Sequence, residues 1–486
     1  MKKALLVFPG FAYYAPIGRP PLGIGYIASV LRQNGYDARI LDLTLYRDPN
    51  AVLEKHFEEY KPEYLMFSVL TTTYPSLRGY MEKARKCESV KTVILGGPHV
   101  TADPEGVMKD FPGVIIVRGE GELTIVELMN ALEQGKDLSG ILGINYISSG
   151  ELRSNPTRPF MADLSTLPMP AFDLMEVEKY AECLEGKRIV SMVTSRGCPF
   201  QCTYCLKATH GRSWVGRSAE SIIAEIKYII KTFDRSAFYF VDDLFTRDEK
   251  RVLEFCGAVR EEKLDIVWRC LARVDMVSER MIAAMYEAGC RVIDFGVESC
   301  DDEILRNIKK GYAYEKVKRA FEWTAKIGMK TKAHMMLALP GDTTETMFRT
   351  IDRICSLPAD YIQFNITIPF PGTELWTWMI EKGILPKEQA RSWEFYQMSN
   401  IEQENLTAEE IDKLPIYVPE GFTKRNMFEL YMLANGLGKL HEFKVKYRKR
   451  GWFGFVLSAG RHPVSLTKAL YAFYRYTKFK ARFQQS

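Results

Sequence analysis

The chain has 486 residues, 47% of them hydrophobic and 26% charged, with a formal net charge of +5. That length exceeds one ordinary core, so two or three domains are expected, and the composition is globular rather than disordered or fibrous. The ten cysteines form no secreted-type framework and no apolar run approaches the ~20 residues of a membrane span, so a reducing, cytoplasmic location is expected.

The opening run Ala4-Leu5-Leu6-Val7-Phe8 ends at Pro9-Gly10, is too short for a signal-peptide core and reads as a buried strand. Further strands are expected at residues 38–43, 64–69 and 92–95, with helices at 22–34, 52–60 and 75–87 between them. Such alternation implies a parallel sheet covered on both faces, with ligands outside the carboxyl ends of the strands. The loops at those ends hold Ser68-Val69-Leu70 and Gly96-Gly97. These resemble two parts of the D-x-H-x-x-G, S-x-L, G-G pattern of cobalamin-binding domains, where small residues let the backbone approach the cofactor. The first part is absent, so no histidine of that motif is expected beneath cobalt. The alternative is a flavodoxin-like domain for another nucleotide, or for none. The resemblance implies cobalamin contacts at Ser68, Leu70, Thr72, Gly96, Gly97, His99 and Glu120, the last within Gly119-Glu120-Gly121-Glu122. A lone loop histidine such as His99 is otherwise a hydrogen-bonding group.

Residues 1–145 are thus read as a Rossmann-like cobalamin domain. Residues 146–187 form a linker punctuated by Leu167-Pro168-Met169-Pro170, because proline holds its predecessor extended. Over 188–380 a strand–helix unit repeats, with strands expected at 189–194, 237–241, 266–272, 292–297, 331–337 and 361–368. Helices are expected at 219–232, 250–261, 279–287, 314–327 and 344–357. Six units fit a partial (β/α)6 barrel with its reactive groups at the carboxyl ends of the strands. The fold class is therefore α/β, with a mainly helical carboxy-terminal region from 381 to 486.

The stretch after the first barrel strand is Ser195-Arg196-Gly197-Cys198-Pro199-Phe200-Gln201-Cys202-Thr203-Tyr204-Cys205. Clustered thiolates select iron–sulfur clusters or zinc, and a four-iron cluster ordinarily takes four cysteines, so three leave one iron open. A zinc knuckle would need a nearby fourth ligand, and His210 is the one near candidate. The C-x-x-x-C-x-x-C spacing, with Tyr204 before the third cysteine, resembles the signature of the radical S-adenosylmethionine enzymes. The resemblance implies that Cys198, Cys202 and Cys205 carry a catalytic [4Fe–4S] cluster whose open iron chelates S-adenosylmethionine. Its ribose diol needs an acceptor, for which Glu298 in Gly296-Val297-Glu298-Ser299 is placed. Its ammonium needs an acid or a carbonyl, for which Asp243 at the end of the second strand or the strand backbone is placed, and its carboxylate needs a cation, for which Arg273 ends the third. Tyr204 is grouped with them, and His334 lies within the fifth strand.

Over about residues 1–400 the chain resembles the cobalamin-dependent radical S-adenosylmethionine enzymes. The family resemblance implies methylation of a weakly activated carbon. One S-adenosylmethionine methylates cobalamin, and a second yields a 5′-deoxyadenosyl radical that abstracts a substrate hydrogen. It also implies a one-electron reductant protein. Alternatives are a cyclase or oxidase with the same cofactors, and a non-catalytic cobalamin-binding regulator, which would have no use for an open iron. Trp376, Trp378, Trp393, Phe395 and Tyr396 form an aromatic segment after the barrel. Residues 441–486 hold eleven Lys or Arg against Glu442 alone, a charge of +10 that leaves −5 for the rest. Interleaved aromatics include Trp452, Phe453, Phe455, Tyr471, Phe473, Tyr474, Tyr476, Phe479 and Phe483. No recognised RNA-binding module follows the barrel. The tail therefore suggests peripheral contact with the inner face of a membrane and a small hydrophobic substrate, lipid or tetrapyrrole pigment, with packing on the barrel as the rival.

Overall fold

The computed structural model describes residues 1–11, 18–387, 389–391, 406–461 and 463–484; the expected aromatic positions Trp393, Phe395 and Tyr396 lie outside them. Nor are the side chains of Trp452, Phe453 and Phe455 described.

The amino-terminal sheet has seven strands in the order β2-β1-β3-β4-β5-β6-β7. β1 (Lys3–Phe8), β2 (Asp37–Asp42), β3 (Tyr64–Ser68), β4 (Thr92–Gly96) and β5 (Ile115–Val117) pair in parallel. The period of two sorts their apolar residues to two cores: Leu5, Val7, Leu65 and Phe67 to one, Ala4, Leu6, Tyr64 and Met66 to the other. α1 (Leu22–Gln33) supplies Ile24 and Ala28 to the second core. α2 (Pro49–Tyr60) and α3 (Tyr74–Lys86) supply Leu53, Phe57, Leu77 and Met81 to the first. α4 (Pro98–Ala102) and α5 (Pro104–Asp110) follow β4, and α6 (Glu122–Glu133) returns Ile125 and Leu128 to the second core.

The all-parallel reading is corrected at the sheet's edge. β6 (Ile144–Ser148) and β7 (Glu151–Ser154) are antiparallel and carry the sheet past residue 145 into the stretch expected as linker. Ser149 and Gly150 between them have φ of 52° and 80°, the left-handed pair that closes a two-residue hairpin.

The second sheet runs β16-β15-β14-β13-β12-β9-β8. β8 (Cys183–Leu184) pairs antiparallel with β9 (Lys187–Met192), and the short pair β10 (Ser195–Arg196) and β11 (Val215–Gly216) stands apart. Five strands continue the sheet in parallel from β9: β12 (Ala237–Phe240), β13 (Val267–Ala272), β14 (Cys290–Glu298), β15 (Lys330–Leu337) and β16 (Tyr361–Ile366). They are connected through α7 (Ala219–Phe233), α8 (Glu249–Glu261), α9 (Glu279–Glu287), α10 (Asp302–Asn307), α11 (Tyr314–Ile327) and α12 (Thr344–Ser356). This is the expected six-stranded partial barrel with one added edge strand. Behind it, Phe240, Phe245, Phe255 and Trp268 pack with ring centroids 5.1–6.3 Å apart.

α13 (Glu374–Glu381) and α14 (Ala408–Lys413) lead to two long helices, α15 (Lys424–Arg461) and α16 (Pro463–Gln484). On α15, Asn435 accepts from Phe364 N at 3.1 Å and donates to its O at 3.2 Å, which covers the free edge of β16. One face of α16 packs on the barrel: the Tyr476 hydroxyl donates to Asp352 at 3.0 Å, and its ring meets Phe348 at 5.8 Å.

Candidate active site

The cysteine loop is held at both ends by an acidic pair that closes the second barrel strand. Asp242 accepts from Thr194 N at 2.6 Å, Thr194 Oγ1 at 2.5 Å and Ser195 Oγ at 2.6 Å, which fixes the exit from β9. Burial raises the Asp242 pKa, with Arg251, Ser195 and Thr194 opposing it. Asp243 Oδ2 accepts from Gly197 N at 3.0 Å and meets His210 Nδ1 at 3.0 Å, spanning the loop's beginning and end. Burial opposes ionisation of Asp243, yet His210 and Gly197 N hold its pKa below the ordinary value. Gly197 has φ of 81°, and a Cβ there would lie 2.1 Å from Ser213 O, so no other residue fits this turn.

Cys198 is buried, Cys202 half-buried and Cys205 exposed, and none is in a disulfide. Burial works against the Lys207 ammonium, but its interactions with Cys205, Cys198 and Cys202 raise its pKa. Among the described residues no three His, Cys, Asp or Glu side chains converge as the ligands of a single ion. His210, the zinc-knuckle candidate, is turned to Asp243. Three thiols grouped on one loop, with neighbouring cations to balance their charge, fit a [4Fe–4S] cluster.

The residues expected around S-adenosylmethionine gather at the same end of the barrel. Glu298, 8% exposed, accepts from the Tyr204 hydroxyl at 3.1 Å and from Lys310 Nζ at 3.2 Å; Lys310 Nζ also reaches the Tyr204 oxygen at 2.9 Å. Glu298 sits at φ of 69°, beside a register shift in the β14–β15 pairing. A non-glycine residue there carries about 1–3 kcal/mol of strain, which the surrounding bonds hold in place. Burial, then the Glu298 carboxylate, raises the Tyr204 pKa far above its ordinary value, so the phenol stays a donor. Nothing in the sequence pointed to Lys310, one of a Lys309-Lys310 pair after α10.

Arg273, expected as the cation for the carboxylate, is already engaged within the protein. It makes a two-pronged pair with Asp275 at 3.0 Å for both bonds, and donates to Lys310 O. Its guanidinium stacks 3.5 Å from the Phe200 ring centroid, and its Nη1 lies 3.6 Å from Cys202 Sγ. The arginine therefore brackets the cysteine loop. His334, inside the barrel, lies 3.9 Å from Asp294 and away from this cluster.

A cavity of about 270 Å³ opens between the amino-terminal sheet and the cysteine loop. Its wall includes Leu6, Met66, Ile94 and Val117 from the strands, and Thr209 and His210 from the loop. Of the residues expected to contact cobalamin, Ser68, Gly96, Gly97 and Glu120 line it, whereas Leu70, Thr72 and His99 do not. Leu70 N instead takes Thr73 Oγ1 at 3.1 Å. His99 is fully buried, with Nδ1 3.2 Å from Thr71 Oγ1 and its ring 4.1 Å from Tyr74. Burial, then Arg391, lowers the His99 pKa to about 3, so it is neutral.

The two glycines serve different ends. A Cβ on Gly96 would meet only Val117 O, at 3.8 Å, so this residue leaves room in the cavity. Gly97, at φ of 99°, would place its Cβ 2.7 Å from Val69 N: it is required by the interlock of the two loops, seen in Val69 N to Gly96 O at 2.8 Å and His99 N to Val69 O at 3.1 Å. A largely apolar cavity with five glycines in its wall, Gly23, Gly96, Gly97, Gly119 and Gly121, fits the bulky organic tail of cobalamin.

Arg196, two residues before the first cysteine, ties the two domains. It donates to Glu120 at 3.1 Å and Glu122 at 2.5 Å, with all three side chains at most 8% exposed, and lies 5.2 Å from the Tyr26 ring centroid. Burial opposes its charge, but Glu122 and Glu120 raise its pKa. The loop that carries the cysteines is thereby fastened to the loop that lines the cavity.

Two family models match: the B12 binding domain over residues 19–129 and the radical SAM superfamily over residues 192–354. An uncharacterized methyltransferase of Pyrococcus horikoshii is 33% identical over 81% of this chain and 86% of its own length. An anaerobic magnesium-protoporphyrin IX monomethyl ester cyclase of Rubrivivax gelatinosus is 27% identical over 73% of this chain and 65% of its own. The hopanoid C-3 methylase of Methylococcus capsulatus is 24% identical over 73% of this chain and 68% of its own. The fold is shared by the cobalamin-dependent S-adenosylmethionine radical enzyme OxsB, with a TM-score of 0.71, 15% identity, and coverage of 100% of this chain and 80% of that one. The two matched family models, together with the 33% identity to a methyltransferase over most of both chains, make the chain a member of the cobalamin-dependent radical S-adenosylmethionine enzymes, with a [4Fe–4S] cluster, S-adenosylmethionine and cobalamin as its cofactors.

Proposed function

We propose that the enzyme methylates a weakly activated carbon of a small hydrophobic molecule, a lipid or a tetrapyrrole pigment. The observation that carries this reading is the shared wall: Thr209 and His210 of the cysteine loop line the cavity of the amino-terminal domain. When bound, the cofactors supply a hydrogen-abstracting 5′-deoxyadenosyl radical and a transferable methyl group. In this reading Cys198, Cys202 and Cys205 hold the cluster. Glu298, oriented by Lys310 and Tyr204, accepts from the ribose diol. Asp243 and Arg273 hold the loop in place and border the S-adenosylmethionine site, while Ser68, Gly96, Gly97 and Glu120 contact cobalamin. Leu70, Thr72 and His99 support those loops from behind. The fastening through Arg196 keeps the two sites at a fixed separation.

Methyltransferase names among the relatives favour methyl transfer, and the hopanoid methylase favours a lipid. Peripheral attachment at the inner face of a membrane, where such substrates reside, belongs to the same reading, as does a one-electron reductant protein. The similarity to the cyclase favours a second reading, ring closure without methyl transfer. Anaerobic reconstitution with lipid and pigment extracts separates the two. Methylation yields a product one methylene heavier, with S-adenosylhomocysteine and 5′-deoxyadenosine in equal amounts. Formation of 5′-deoxyadenosine without S-adenosylhomocysteine would overturn methylation in favour of cyclisation.

A further inference from the structure

We infer that the outward face of α16 docks on an anionic lipid surface, through Leu470, Tyr471, Phe473 and Tyr474 and the cations among them. This rests on the peripheral attachment proposed above and names its face and its lipid chemistry. The helix has two unlike sides. Ala469, Ala472, Tyr476 and Phe479 are buried against the body of the protein. Leu470, Tyr471, Phe473 and Tyr474 are 52%, 58%, 46% and 52% exposed. Of the ten exposed large hydrophobics among the described residues, these four fall within five consecutive positions. Apolar residues scattered singly over a surface need no explanation, but a patch does.

Charge decides between the occupants such a patch could have. α16 contains no Asp or Glu. Lys478 Nζ lies 4.6 Å from the Tyr474 ring centroid and Lys444 Nζ lies 5.7 Å from that of Phe473. Arg475 reaches the Tyr471 hydroxyl at 3.2 Å, and Lys468 is exposed one turn before Tyr471. The core of a protein–protein interface is depleted in lysine. Aromatic rings alternating with lysines that extend along them suit the headgroup level of a bilayer, where the rings sit at the interface and the ammonium groups reach lipid phosphates. No helix among the described residues is long and apolar enough to cross a membrane, so the contact is interfacial.

The test is cosedimentation of the full chain, purified anaerobically, with vesicles of phosphatidylcholine alone or mixed with phosphatidylglycerol, at low and high salt. The wild type is expected to bind the mixed vesicles, less so at high salt, and to leave phosphatidylcholine alone largely unbound. The combined variant Leu470→Ser, Tyr471→Ser, Phe473→Ser, Tyr474→Ser alters only exposed side chains, of which Tyr471 also borders a cavity against the barrel, and its fold is checked by circular dichroism. It should bind at least about tenfold more weakly, and Lys468→Glu with Lys478→Glu should weaken binding to the mixed vesicles and reduce its salt dependence. Equal binding by the wild type and the serine variant would overturn this face while leaving attachment intact. Absence of wild-type binding to any vesicle would overturn both. A dimer in light scattering that the serine variant dissociates, without vesicle binding, would assign the face to a second copy of the chain instead.

Discussion

Glu298 is held in a left-handed conformation with its carboxylate against Lys310 and Tyr204. Lys310→Met leaves that buried carboxylate without its cation, and breaking a buried pair in this way costs about 3–5 kcal/mol. Some of the cost appears as lost order at the site, so the KM for S-adenosylmethionine should rise by tenfold or more, with Lys310→Arg restoring most of the affinity; both are read from rates of 5′-deoxyadenosine formation. Arg273 is a positioning residue whose Nη1 stands 3.6 Å from Cys202 Sγ. Donors and positive charge beside cluster sulfurs favour the reduced form. Arg273→Gln should therefore move the cluster's midpoint potential to a more negative value in an anaerobic titration followed by electron paramagnetic resonance. An unchanged potential would confine Arg273 to its pairing with Asp275.

Arg196→Leu removes the cation between Glu120 and Glu122 and leaves two buried carboxylates unpaired. A loss of about 3–5 kcal/mol is expected in urea unfolding, together with loss of cobalamin on gel filtration. Farther along the barrel, Asp342 fixes the turn after β15 by accepting from Leu339 N at 2.9 Å and Thr346 Oγ1 at 2.8 Å. Burial raises its pKa from 3.8 to about 7. A carboxyl raised in the folded state binds more protons there than in the unfolded chain, so its contribution is present at low pH and is lost as pH rises from 3.8 to about 7. Asp342→Asn should flatten that part of the stability profile, measured by urea midpoints across the window.

At the scale of the whole molecule, the repeating strand–helix order was legible because buried parallel strands form short β-rich runs that period and punctuation delimit. The hairpin of β6 and β7 was missed although Ser149-Gly150 is a turn signal, since β7 is exposed throughout and carries no apolar alternation. At the site, cysteine spacing and Gly96-Gly97 are local patterns and were readable. Arg196 with Glu120 and Glu122, and Lys310 with Glu298, are meetings of residues far apart in the chain or across a strained turn, and charged residues in sequence carry no mark of burial. The packing of α16 was likewise open, because a basic aromatic helix reads alike whether one face or none is covered.

In the proposed reaction three thiols and one open iron start the chemistry. Its most direct test compares 5′-deoxyadenosine formation from S-adenosylmethionine, under reducing anaerobic conditions, by the reconstituted wild type and by Cys198→Ala, Cys202→Ala, Cys205→Ala. The wild type should form it and the triple variant should form none, having lost its cluster absorbance as well. Undiminished 5′-deoxyadenosine formation by the triple variant would show that these cysteines do not hold the cluster.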